Sequence, residues 1–305
     1  MKKFGVLVPI VTPCTLRGEL DIDGLRSVCD DMTEAGCNGF FVGGSTGRGP
    51  WFSRSDKTEI CRCVAERAGA QIPLFAGCMA MGLPEMLENA RVMADAGAQT
   101  AVVTSPAYFS YNQAEMEAIF LRFADESVLP VMIYDIPAYA NVKLDTDMVC
   151  RLAKHENIAG FKDSSADFVN FKKLLSILSD IPDFYLMQGR EHLLADSIIA
   201  GASGLVVSFL HINPHPFVAL FRAAQSKDVQ TAGRIQTQIT SVYEVVKKCF
   251  ERRPEASTIF HILNFCLKKR RICDNILLNH EGECPCWLAD EAAKVLEICL
   301  SIDGR

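Results

Sequence analysis

Short apolar runs rich in Val, Ile and Phe recur along this chain, separated by amphipathic stretches about a dozen residues long. The runs are FGVLVPIV near residue 4, GFFVG near 39, IPLFAG near 72, TAVVTS near 100, PVMIYD near 130, IAGFKD near 158, FYLMQG near 184 and GLVVSF near 204, eight in all. Such runs predict strands of a parallel sheet. Between them, stretches such as DIDGLRSVCDDMTEAG, MLENARVMADAG and TDMVCRLAKHEN carry apolar residues at helical spacing, several closed by glycine where a left-handed cap is wanted. Strand and helix alternating eight times predict an α/β fold, the (β/α)8 TIM barrel. A barrel of this kind takes roughly 250 residues, so the expected division is a barrel catalytic domain over 1–227 and a C-terminal helical extension over 228–305. The extension reads as further helices, TAGRIQTQITSVYEVVKKCF and DEAAKVLEICLSI among them, with no Pro/Ser-rich linker before it. It is therefore expected to pack on the barrel or in an oligomer interface.

Composition narrows the partners. Hydrophobic residues make up 49% and charged residues 22% of the 305, which fits a folded, soluble, cytoplasmic protein. The net charge of -6, with no basic stripe, argues against nucleic acid. The opening MKKFGVLVPIVTP has lysines ahead of an apolar run, but Pro9 interrupts it and no small-residue cleavage site follows, so it reads as a first strand. No segment has the length of a membrane span. The thirteen cysteines are odd in number and many sit in apolar patterns, as Cys29, Cys61, Cys150, Cys249 and Cys299 do, which fits reduced thiols. Cys61-Arg-Cys63 and Cys284-Pro-Cys286 lack zinc-site spacing, so no metal is expected.

A barrel of this kind carries its chemistry at the C-terminal ends of the strands. Those ends hold GGSTG after the second run, Tyr108 after the fourth, Tyr134 and Asp135 on the fifth, Lys162 on the sixth, Gly189, Arg190 and Glu191 after the seventh and Ser208 on the eighth. Lys172, Lys247 and Lys268 lie in polar helical contexts, whereas Lys162 closes an apolar run. Removal from water disfavours the ammonium form and frees the lone pair to attack a carbonyl, which makes Lys162 a Schiff-base candidate. By itself it could equally pair with Asp163 at a strand end. Tyr134 and Tyr108 can relay protons, or can simply be packed rim residues; their placement on one face with Lys162 favours the relay.

The loop Gly43-Gly44-Ser45-Thr46-Gly47 fits the G-x-S-x-G pattern of a nucleophile elbow, which needs a helix directly after the serine. Gly47, Gly49 and Pro50 oppose one, and the next N-cap is Ser53 or Ser55. There is no G-K-[ST] for a P-loop. What is left is a turn whose N–H groups and two hydroxyls hold a small anion, most simply a carboxylate.

Together these motifs resemble the dihydrodipicolinate synthase and N-acetylneuraminate lyase superfamily of pyruvate-dependent class I aldolases, over about Phe4 to Pro214. The resemblance implies that Ser45 and Thr46 bind the pyruvate carboxylate, that Tyr134 of YDIP is the acid/base group with Ser45 in its relay, and that Lys162 of GFKD forms the Schiff base. It also implies that Tyr108 reaches a neighbouring subunit's site, in dimers usually paired into a homotetramer. Where the synthases carry an arginine two residues after the proline of Y-N-x-P, this chain has Tyr139, which points away from lysine biosynthesis. Ser164, Glu191 and Ser208 stand where lyases contact substrate hydroxyls, and Gly189, Val207 and Tyr139 complete the expected substrate-binding set. His192 replaces a lyase glutamate, and GSTGRGP is more similar to the 2-keto-3-deoxy sugar acid aldolases. The expected activity is thus reversible cleavage of a 2-keto-3-deoxy sugar acid to pyruvate and an aldehyde, with no cofactor beyond the imine on Lys162. The alternatives are another aldehyde, as in N-acetylneuraminate lyase, dihydrodipicolinate synthase-type condensation, and a regulatory barrel that binds a keto acid without turnover. Arg48 has no role beyond a salt bridge at the loop.

Overall fold

The computed structural model describes residues 2–106, 108–140 and 142–302. Eight parallel strands close into a barrel in chain order: β1 (Gly5–Pro9), β2 (Gly39–Val42), β3 (Leu74–Gly77), β4 (Thr100–Val103), β5 (Val131–Asp135), β6 (Ile158–Asp163), β7 (Tyr185–Gln188) and β8 (Gly204–Leu205). The ring is sealed by Gly5 opposite Gly204 and Val6 opposite Leu205. Helices α1 (Ile22–Glu34), α2 (Arg54–Ala68), α3 (Leu83–Asp95), α4 (Gln113–Glu126), the short α5 (Pro137–Ala140), α6 (Thr146–Leu152), α7 (Phe168–Ile177), α8 (Leu194–Ile199) and α9 (His215–Gln225) follow the strands. This is the TIM barrel that the periodicity predicts.

The unbroken apolar runs have a simple cause: successive strand residues face opposite sides, and both sides are dry. Leu7, Phe41, Phe75, Val102, Met132 and Met187 fill the barrel lumen, while Val6, Val8, Phe40, Val42 and Phe161 meet the helices outside. Each such side chain taken from water stabilises the fold by about 1.5–3 kcal/mol. Local signals set the helix ends. Ser53 and Asp56 form a reciprocal capping box at the start of α2, and Asn112 with Glu115 does the same for α4. Gly36 and Gly97 turn the chain after α1 and α3 with φ of 89° and 103°, a region glycine enters without strain.

Two elements differ from expectation. The TDMVCRLAKHEN helix stops at Leu152, because Asn157 anchors the approach to β6 by donating to the carbonyls of Ala124, Ser127 and Leu129. The strand expected over GLVVSF is only Gly204–Leu205; past it the backbone leaves the sheet and a 3-10 turn runs from Ser208 to His211. His211 Nε2 pins that turn by donating to Pro9 O at 3.0 Å, and burial drives the imidazole pKa down to about 4, so it stays neutral.

Beyond α9 come α10 (Val229–Arg252), capped by Asp228, then α11 (Ser257–Lys269) and α12 (Cys286–Ser301). Helix α10 packs on α8 and α9, and α11 packs on α12 and on the 208–211 turn. Arg270, just past α11, makes a half-buried two-pronged ion pair with Asp31 of α1. All thirteen cysteines are free and ten are buried; burial pushes thiols such as Cys61 and Cys78 up to about 12, so these sit in the core as neutral small hydrophobes. No helix among the described residues is long and apolar enough to cross a membrane.

Candidate active site

Lys162 lies at the C-terminal end of β6, flanked in register by Tyr134 on β5 and Met187 on β7. Strand alternation turns Lys162 and Tyr134 into the lumen and Asp135 and Asp163 outward. The Lys162 side chain is 4% exposed; its Nζ lies 3.8 Å from the centroid of the Tyr134 ring and 5.1 Å from that of Phe41. Burial lowers the amine pKa, and the neighbouring Arg190 charge adds to this, against the opposing pull of Tyr134 and Glu191. For Tyr134 burial works to raise the phenol, yet the Lys162 charge and hydrogen bonds with Ser45 and Ser164 outweigh it and the pKa is lowered. Amine and phenol are thus poised to share a proton.

Above Lys162 opens a polar pocket of about 170 Å3, with room for on the order of ten water-sized groups. Ser45, Thr46, Tyr134, Tyr139, Lys162, Ser164, Gly189, Glu191 and Ser208 all line it. Ser45 Oγ stands 3.5 Å from the Tyr134 hydroxyl. Gly189 is glycine for a steric reason: a Cβ there would meet Ser164 Oγ at 2.1 Å and crowd Lys162 Cε at 3.3 Å. Glu191 is buried, accepts from Ser208 Oγ at 3.1 Å and has its pKa raised, chiefly by burial.

Of the expected pocket residues, Val207 falls elsewhere. The Val207 side chain belongs to the layer between barrel and helices, and its neighbour Val206 faces the pocket, because the backbone still alternates at that point. Ser208 reaches the pocket from the first position of the 3-10 turn, not from within a strand. Tyr108 is 73% exposed, stacks edge-on against Phe109 at 4.9 Å and does not line its own chain's pocket. His192 packs away from the pocket on Tyr243, with ring centroids 4.5 Å apart.

The extension supplies what local sequence did not reveal. Ile259, Phe260 and Leu263 of α11 cover one side of the pocket. Gln236 of α10 donates to Glu191 O at 2.9 Å and accepts from Ala195 N, which holds the turn after β7. Arg48, in the left-handed region at φ 53°, bonds Glu281 Oε2 at 2.5 Å with both side chains over 90% buried, and its guanidinium lies 4.4 Å from the centre of the Phe260 ring. The Ser45–Thr46 turn is thereby tied to the C-terminal segment. After it comes a single 3-10 turn, Gly49–Trp51, and α2 starts only at Arg54, so no helix follows Ser45 as a nucleophile elbow would need.

A buried amine facing a phenol, at the mouth of a (β/α)8 barrel with a hydroxyl-glycine turn opposite, defines an imine-forming enzyme of keto-acid chemistry. The chain belongs to the dihydrodipicolinate synthetase family, whose sequence profile matches residues 2–264. It is 31% identical over 240 residues to a 4-hydroxy-tetrahydrodipicolinate synthase of Kineococcus radiotolerans, covering 78% of this chain and 77% of that one. Among solved structures, the dihydrodipicolinate synthase of Bacteroides thetaiotaomicron superposes with a TM-score of 0.88 at 25% identity, over 96% of this chain and 98% of that one. The pyruvate complex of the Acinetobacter baumannii enzyme shares the fold, with a TM-score of 0.88 at 23% identity over 98% and 99% of the two chains. Family members are pyruvate-dependent class I aldolases and lyases that use a lysine Schiff base and no external cofactor, and this chain is an enzyme of that class.

Proposed function

We propose that this enzyme reversibly cleaves a 2-keto-3-deoxy sugar acid to pyruvate and an aldehyde. The observation that carries the reading is the joint lining of one pocket by Lys162, Tyr134 and the Ser45–Thr46 turn together with Ser164, Glu191 and Ser208. The first group suits a 2-keto acid; the second, rich in hydroxyl and carboxyl groups, suits a polyol.

In this reading Ser45 and Thr46 hold the carboxylate, and the neutral Lys162 amine adds to the C2 carbonyl. Loss of water leaves an iminium. Tyr134, with Ser45 beside it, takes the proton from the C4 hydroxyl; the C3–C4 bond breaks, the aldehyde departs and the electron pair flows into the iminium as an enamine. Protonation at C3 and hydrolysis of the imine return pyruvate and free Lys162. General-base assistance of this kind contributes about 10²–10⁴ in rate. Tyr139 replaces the arginine that the resemblance places in the synthases, which supports sugar-acid cleavage over synthase-type condensation. Tyr108, exposed beside Phe109, is proposed to act in a neighbouring subunit's site within a homotetramer.

Incubation with pyruvate and borohydride followed by peptide mass analysis tests the chemistry, and pyruvate release from a panel of sugar acids tests the substrate. The reading predicts a reduced adduct on Lys162 and release from 2-keto-3-deoxy acids; an adduct on another lysine sinks it. Condensation of pyruvate with aspartate semialdehyde in preference to any sugar-derived aldehyde would favour the synthase alternative.

A further inference from the structure

Arg190 lines the pocket between β7 and Glu191; its charge helps to lower the Lys162 pKa, but the mechanism above gives it no contact with the substrate. Its Nε donates to Ser164 O at 2.7 Å, which fixes the plane of the guanidinium. Among the described residues its two terminal nitrogens make no hydrogen bond and no ion pair. The acidic side chains near enough to feel its charge are already engaged by other donors, Glu191 by Ser208 and Asp163 by Ser165. Tyr139 is also within range of that charge. A half-buried guanidinium with one edge locked and the other open is a preformed fork for a planar anion, since two parallel N–H groups match a carboxylate in geometry.

Resting on the aldolase reading, we infer that the aldehyde half of the substrate ends in a carboxylate, which Arg190 receives: the substrate is a 2-keto-3-deoxy acid carrying a second carboxylate at its far end. The keto-acid carboxylate goes to the Ser45–Thr46 turn and the distal one to Arg190, both of which line the pocket with Lys162. A phosphate monoester fits less well, because a second negative charge would lie beside buried Glu191, and among the described residues the pocket's other cationic group is Lys162, which must be neutral to react.

The test is condensation of pyruvate with three aldehydes of the same carbon count: tartronate semialdehyde, glyceraldehyde and glyceraldehyde 3-phosphate. The wild type should prefer tartronate semialdehyde in kcat/KM. In Arg190→Gln that preference over glyceraldehyde should fall by roughly 10- to 100-fold, the range for one hydrogen-bonded charged contact, and Arg190→Lys should restore part of it. Borohydride trapping of pyruvate on Lys162 in each variant shows that the fold and the imine step persist. Equal losses with tartronate semialdehyde and glyceraldehyde would make Arg190 a positioning residue acting through Ser164 and overturn the inference, as would a wild-type preference for glyceraldehyde or its phosphate. A wild type that forms no adduct overturns the aldolase reading itself, and this inference with it.

Discussion

Replacing Arg48 by Met removes one member of a buried ion pair and leaves Glu281, 6% exposed, without its cation. Breaking such a pair costs about 3–5 kcal/mol, because the stranded charge keeps its desolvation penalty. Unfolding entropy of about 2.1 cal/mol/K per residue over 305 residues is roughly 0.64 kcal/mol/K, so the melting temperature should drop by about 5–8 °C. Glu281 Oε2 also accepts from Leu278 N at 2.7 Å. The compensating change is therefore Glu281→Gln, which removes the charge but keeps an acceptor; Arg48→Met/Glu281→Gln should recover at least half of the loss. The turn that carries Ser45 and Thr46 is held by the same pair, so the single variant should also raise KM for pyruvate in the trapping assay more than it lowers the limiting rate. Calorimetry and pyruvate-dependent trapping on the wild type and the two variants decide the matter. A melting point within a degree of wild type for Arg48→Met, or a double variant no better than the single, would refute the claim that this pair anchors the loop.

Other consequences are as direct. Lys162→Ala should abolish the borohydride adduct and all cleavage, while Tyr134→Phe should keep a trappable lysine but slow cleavage by about 10²–10⁴; a Phe variant within tenfold of wild type would remove Tyr134 from the proton path. Burial lowers the Lys162 pKa from its ordinary 10.5, so the rate of adduct formation should rise with pH and level off at a lower pH than for an ordinary lysine; a rate still climbing tenfold per unit at pH 10 would show an ordinary lysine. Burial and the facing Asp163 push the Asp135 carboxyl up to about 7. The folded state then holds a proton that the unfolded chain releases above about 4, so this group's contribution to stability is lost as pH rises from about 4 to 7. Asp135→Asn should melt higher than wild type at pH 8 and lose that advantage at pH 5; the reverse order would mean the carboxylate is ionised in place. Mixed oligomers of Tyr108→Phe and Lys162→Ala should regain activity that neither variant has alone if Tyr108 serves a neighbour's site, and a strictly additive residual rate would exclude it.

Chain periodicity alone determined the barrel, since strands dry on both faces must read as unbroken apolar runs and the helices between them as amphipathic ones. It also located Lys162, Tyr134 and the Ser45–Thr46 turn, because the barrel's geometry sends strand ends to one mouth and a lysine closing an apolar run stands out there. Tertiary structure decided the rest. Phe260, Gln236 and Glu281 reach the site from over forty residues past β7, and nothing in their local patterns separates them from ordinary helix-face or loop residues. Val206 rather than Val207 faces the pocket because strand phase at the short β8 is set by its pairing with β1 and β7. Arg48 was legible only as a charge in a loop; burial against Glu281 and Phe260 made it an anchor. Side-chain type is a property of sequence, whereas burial and the partner a charge finds depend on contacts between residues far apart in the chain, and those exist only once the barrel has closed and the extension has packed across its mouth.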